Sequence, residues 1–275
     1  MENRVYPSIK NAILLCLLLL GINLGFGFFF LLLPDINLSI GLLTGFGNLI
    51  SFGAVILIGF KKSGRKANEI FKFNKVSPPL WLGAIIFSIG FIIVISELDN
   101  LLNYFLPMPD FFRDMFADLM SGHLFIISVL VMGFIPAFTE ELFFRGLLLD
   151  GLSKNYSNRK AIIISALLFG LIHLNPWQFL TAFISGLVMA FVCIKTNSIL
   201  LCIYLHLFNN IAYTLAVRYN EVISIRGFNT NFAWPVEFQP PLFTLAGVLL
   251  TALGCFPFLK AFYFDTAERN IPAEG

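Results

Sequence analysis

Long runs of apolar residues, separated by short polar connections, recur along the chain from residue 10 to residue 263. A helix needs about 20 such residues to cross the hydrocarbon core of a bilayer. Backbone in hydrocarbon must satisfy its own hydrogen bonds, which leaves helices or closed barrels. Barrel strands would show segments of about 9–11 residues with alternating polarity, and the runs do not alternate. They predict eight helices at approximately 10–33, 38–60, 80–98, 123–150, 161–175, 177–195, 198–217 and 241–263. The fold class expected is therefore all-α, a polytopic transmembrane helix bundle forming a single membrane domain over 1–275. The fifth helix is short, and Asn175-Pro176 ends it because proline cannot continue a helix without losing a hydrogen bond. With 12% charged residues, against about 25% in an average soluble domain, the chain could not keep its surface in water. That excludes a soluble enzyme, a disordered protein and a nucleic-acid binder. The net charge of +2 is too small to indicate a polyanionic partner.

Orientation follows from the lysines and arginines, which concentrate in cytoplasmic connections. With both termini cytoplasmic, 14 of the 18 fall inside, and Arg113, Arg218 and Arg226 fall outside. The remaining one, Arg145, lies within a span. The first span reads as a helix rather than a cleavable leader, since its apolar stretch is too long and no small-residue cleavage site precedes Pro34. The segment from Lys61 to Lys75 is a basic cytoplasmic loop, placed to lie near anionic headgroups. Residues 105–120 carry apolar side chains at helical spacing among acids and predict an interfacial helix on the outer face. Cys16, Cys193, Cys202 and Cys255 sit in apolar runs with no C-x-x-C pair, as buried filler does.

Ionisable groups in hydrocarbon are costly, so each one in a span is a candidate for function. They are few: Glu140, Glu141 and Arg145 in the fourth span, His173 in the fifth, and His206 in the seventh, with Asn209 and Asn210 beside it. At about 1.5 Å of rise per residue, Glu140 lies about 16 Å from the cytoplasmic end of its span. By the same measure His173 lies about 18 Å in, His206 about 12 Å and Asn210 about 18 Å. Three helices thus bring polar residues to one layer. A lone intramembrane His or Asn commonly serves only as an interhelical hydrogen bond; packing or the lining of a cavity accounts for Asn23 and Asn48, and an interfacial position after Gly122 for His123. Independent packing residues, however, have no reason to share a depth. Within the helices, Glu141 and Arg145 are four apart and can pair, as Phe169 and His173 or His206 and Asn210 can meet. Glu140 points about 100° away from Glu141 and is left to meet the histidines.

A carboxylate and an imidazole converging on one water can deprotonate it and later return the proton to a leaving amine. A second imidazole and an amide can stabilise the oxyanion of a tetrahedral intermediate. Together these hydrolyse a peptide bond inside the membrane. A G-x-S-x-G nucleophile motif is absent. The same residues allow a second reading, in which Glu140, His173 and His206 ligate zinc and leave a position for water. Asn is a poor zinc ligand and H-E-x-x-H spacing is missing, so the favoured reading uses no metal and no other cofactor.

These residues also carry a resemblance. Glu140-Glu141-Leu-Phe-Phe-Arg145 is similar to the E-E-x-x-x-R motif of the CPBP family, which includes type II CAAX prenyl proteases and Abi-type bacterial immunity proteins. Phe169-Gly-Leu-Ile-His173 resembles its F-x-x-x-H motif, and His206-Leu-Phe-Asn-Asn210 its H-x-x-x-N motif. The order also agrees, over a core of about 123–217. The resemblance implies an intramembrane endopeptidase of an eight-helix bundle, in a bacterial plasma membrane. Glu140 and His173 would activate water, His206 and Asn210 would form the oxyanion site, and Glu141, Arg145 and Phe169 would support them. The implied partners are the bilayer and a membrane-embedded or membrane-anchored peptide substrate, of CAAX type or a bacteriocin or other maturing peptide. Two alternatives stand beside it: a noncatalytic immunity or scaffold protein of the same family, and a proton-coupled carrier, for which the halves show no repeated Gly/Pro pattern.

Overall fold

The computed structural model describes residues 5–32, 40–121, 125–230 and 235–268. His123 lies outside them. Among the described residues all regular structure is helical: α1 (Ile9–Leu31), α2 (Ile40–Ser63), a single turn α3 (Ala67–Ile70), α4 (Pro78–Phe105), α5 (Asp110–Ser121), α6 (Phe125–Asn155), α7 (Asn158–Leu171), α8 (Pro176–Thr196), α9 (Leu200–Arg218) and α10 (Pro241–Glu268). Seven of these are long and apolar enough to cross a membrane. All eight expected segments are present, but the fifth, expected over 161–175, is the 14-residue α7, about 21 Å long. It is not among the seven and packs against α8, which follows it. The chain is an integral, multi-pass membrane protein.

The α7–α8 turn matters most for function. α7 stops at Leu171, Leu174 adopts φ 55°, and Pro176 opens α8 as its first residue. A left-handed leucine costs about 1–2 kcal/mol, and Asn175 holds the turn that imposes it. Its Oδ1 accepts from the Gln178 backbone N–H at 2.8 Å, capping α8, while its Nδ2 donates to the His173 carbonyl at 3.1 Å. From outside, the Trp177 indole N–H donates to the Leu106 carbonyl at 2.8 Å, and Phe112 of α5 packs on the Trp177 ring at 5.3 Å. The expected interfacial helix thus covers this turn.

α6 is one continuous rod with two π-helical turns, Val129–Phe134 and Leu142–Leu148, on either side of the two glutamates. The first has a visible cause. Pro136 has no N–H, so the carbonyl four residues earlier, that of Met132, has no helical donor. The helix reaches round with wider bonds, Ile135 N–H to Leu130 carbonyl. In the second turn, the N–H of Leu149 reaches the carbonyl of Phe144.

α10 buttresses α4 along paired glycines. A Cβ on Gly83 would lie 2.9 Å from the Gly254 carbonyl, and one on Gly90 would lie 2.5 Å from that of Gly247. Such small residues let membrane helices approach closely, where dispersion and weak polar contacts replace the absent hydrophobic drive.

At the cytoplasmic end, Asp150 gathers the basic loop. Its buried carboxylate accepts from Arg65, from Lys72 at 3.0 Å and from Lys154 at 3.0 Å. Two cations expected to face headgroups are therefore committed to a carboxylate, as Asp150 sits one turn below Arg145 on α6. Asp150→Ala is expected to cost about 1–3 kcal/mol, since its three partners are partly exposed and need no full burial of charge. A lowered Tm in detergent and faster proteolysis within residues 61–75 would check this.

Candidate active site

Glu141 sits at the centre of the site. Its Oε1 accepts from Arg145 Nη1 at 2.8 Å and from His206 Nδ1 at 2.8 Å. The first bond is the expected four-residue pair. The second was not legible, because Glu141 and His206 are 65 residues apart and the spacing assigned the histidines to Glu140. Carboxylate and guanidinium are both fully buried, and burial of a pair is tolerated only with further hydrogen bonds. Arg145 Nη2 supplies one to the Gly186 carbonyl at 3.3 Å. Gly186 fits because a side chain there would press on Ala166 and Phe169 at about 3.1–3.2 Å.

Phe169 links the ion pair to the histidines. The Arg145 guanidinium lies 4.4 Å from its ring centroid, a desolvated cation–π contact of the kind that contributes about 2 kcal/mol. His173 and His206 meet the same ring edge-on, at centroid distances of 5.4 and 5.8 Å. The Phe169 carbonyl receives His173 Nδ1 at 2.9 Å. A carbonyl can only accept, so His173 Nδ1 carries a proton and its Nε2 faces the site as the free nitrogen. His206 is fixed in the same sense, Nδ1–H on a carboxylate and Nε2 outward.

Glu140 stands apart from this network. Its carboxylate is buried, one oxygen has no hydrogen-bond partner, and both imidazoles act on it electrostatically. Asn210 donates one amide proton to the Met132 carbonyl at 3.0 Å. This is the carbonyl that Pro136 leaves without a donor. Its second amide proton remains for the cavity. The neighbouring Asn209 Oδ1 is buried without a partner.

Glu140, His173, His206, Asn209 and Asn210 line one cavity of about 500 Å³. The structure therefore brings together Glu140, His173, His206 and Asn210, with Phe169 in the wall and Glu141 and Arg145 packed behind it. The sequence reading missed Asp99. The third span is expected to end at 98, which leaves Asp99 just beyond it, whereas α4 runs to Phe105 and carries Asp99 into the cavity wall near Thr181 and Tyr213. Asn23 and Asn48 also line it, the cavity-lining role open to them from sequence.

A metal was tested against the donor set. Both histidines present Nε2 with Nδ1 held by an acceptor, as ligating histidines do. Yet among the described residues no three His, Cys, Asp or Glu side chains are grouped so as to hold a metal ion. Glu140, His173 and His206 in this arrangement do not fit one.

The family model for type II CAAX prenyl endopeptidases, Rce1-like, matches residues 122–212. The matched stretch contains every residue of the three motifs and both π turns. No curated protein and no solved structure matches the chain. Over this segment, with its motif side chains gathered on one buried cavity between membrane helices, the chain is similar to the Rce1-like type II CAAX prenyl endopeptidases.

Proposed function

We propose that the protein hydrolyses a peptide bond by direct attack of water activated by Glu140 and His173, without a metal. The observation that carries this is the Glu140 carboxylate oxygen, buried on the cavity and committed to no other group, beside a histidine whose Nε2 faces the same space. Water held between them gives a proton to Glu140 as its oxygen bonds the substrate carbonyl carbon. The oxyanion is received by the free amide proton of Asn210 and by His206 Nε2–H. For His206 to donate there while Nδ1–H stays on Glu141, the ring must carry both protons. Collapse of the intermediate breaks the C–N bond, and the proton held by Glu140 passes to the leaving amine. The substrate is a membrane-anchored peptide, of CAAX type or a maturing peptide.

The test is cleavage of a panel of membrane-anchored peptides, prenylated and not, by the purified protein with and without a strong chelator. Activity is expected to survive chelation. Loss on chelation with rescue by zinc would overturn the metal-free mechanism. His173→Ala is expected to lose about as much activity as loss of a general base does, 10²–10⁴-fold; near-wild-type turnover would sink its assignment. A noncatalytic scaffold predicts no difference between these variants in any assay.

A further inference from the structure

A peptide segment cut inside a bilayer must be extended around the scissile bond, so its N–H and C=O groups lose their helical partners where water does not replace them. The catalytic groups meet only the scissile carbonyl. The neighbouring backbone groups need donors and acceptors from the cavity wall. Most hydroxyls there have no proton to give, since each carries one. Ser88 donates to the Ala84 carbonyl at 2.7 Å, Ser96 to that of Phe228 at 3.2 Å, Thr181 to that of Gln178 at 3.3 Å and Thr214 to that of Asn210 at 2.8 Å.

Two carboxamides are different. Asn23 of α1 and Asn48 of α2 line the cavity, and among the described residues neither side chain takes part in a hydrogen bond. An asparagine kept for packing would bond to a neighbouring helix, and these do not. They also stand together: a Cβ on Gly47 would lie 3.5 Å from Asn23 Oδ1 and 3.1 Å from the Phe26 ring, so Gly47 leaves room for Asn23 beside the turn that carries Asn48. Their level is that of the chemistry. α2 runs alongside α6, where a Cβ on Gly45 would lie 2.9 Å from the Val131 side chain, and Phe52 meets the Phe143 ring edge-on at 5.8 Å. Asn48 lies between those two contacts on α2, as Glu140 does on α6.

We infer that Asn23 and Asn48 form a backbone-binding subsite, which pairs with N–H and C=O groups of an extended substrate segment next to the scissile bond. This rests on the protease reading above. A carboxamide reproduces the donor and acceptor of a peptide group, so the two side chains do for the substrate what a neighbouring strand does in a sheet. Such a subsite selects an unwound main chain and is indifferent to the side chains that the chain carries.

The experiment is a cycle between wall and substrate, run on the purified full chain in detergent. Asn23→Leu and Asn48→Leu keep the size of the side chain and remove the amide, and each is an independent report if the other folds poorly. The probes are membrane-anchored peptides in which one backbone N–H at a time, on either side of the scissile bond, is replaced by an ester oxygen. Each leucine variant is expected to lower kcat/KM by about 3–10-fold, the contribution of one hydrogen bond, with a Tm no lower than that of the wild type. At one ester position, the loss seen with the wild type should disappear in the leucine variant, because both changes remove the same bond. Unchanged kcat/KM, or ester effects that add to those of leucine at every position, overturns the inference and returns the asparagines to packing. If the wild type cuts none of the peptides, the same probes carrying a photoreactive group are titrated by saturable crosslinking. Binding weakened by the leucine substitutions would then count against the protease reading alone and support the subsite. Binding that the substitutions leave unchanged, or no binding, overturns the subsite.

Discussion

Glu140→Gln is expected to lower turnover by about 10²–10⁴-fold, the usual contribution of a positioned general base, while the protein folds as before. Glutamine keeps the shape of the side chain and removes only its capacity to take a proton. Because Glu140 is outside the hydrogen bonds of the Glu141 network, its replacement leaves those bonds intact. Taking an ionisable carboxylate with an unpartnered oxygen out of a buried site relieves a desolvation cost and is expected to leave the fold no less stable. The distinguishing result is therefore a pair of measurements, a collapse of kcat on a membrane-anchored peptide together with a Tm in detergent no lower than that of the wild type. A large fall in both would mean that Glu140 holds the bundle together, and its catalytic assignment would fail.

Arg145→Ala is expected to do the reverse, damaging the fold first. Breaking a buried ion pair by removing one partner costs about 3–5 kcal/mol, because Glu141 would keep its charge with only His206 beside it. At about 2–4 °C per kcal/mol for a chain of this size, Tm should fall by about 6–20 °C. Phe169 also loses the cation over its ring, so the loss should reach the histidines. A double variant, Glu141→Gln with Arg145→Met, separates the two functions of the pair. With no charge left to bury, much of the stability should return, but activity should not, since His206 has lost the carboxylate on its Nδ1. A single Arg145→Ala variant with unchanged Tm would remove the ion pair from the account of stability.

The helices were legible because apolar length and proline placement act locally: α7 ends and α8 begins around the Asn175-Pro176 stop. The common layer of Glu140, His173, His206 and Asn210 was legible because helix rise turns residue number into depth. Azimuth was harder. Whether Glu140 or Glu141 meets His206 depends on how α6 and α9 pack, and the π turns of α6 change its rotation. Pro136 announces the first of these turns; the residues of the second carry no comparable signal. Asp99 and Asp150 were missed for a common reason. Each lies near a span end, where a charged residue is ordinary, and only tertiary packing turns the first into a wall residue and the second into an anchor for Arg65 and Lys72.

The absent N–H of Pro136 has an effect that reaches beyond the helix containing it. It leaves the Met132 carbonyl, at the cavity wall, as an acceptor without its usual helical donor, and the Asn210 amide donates to it at 3.0 Å. The direction of the second amide proton is then fixed in advance. A dipole already aligned when negative charge develops needs no reorganisation at that moment, and such alignment is the largest source of electrostatic catalysis. In this protein a defect in one helix acts as the orienting field for a group on another.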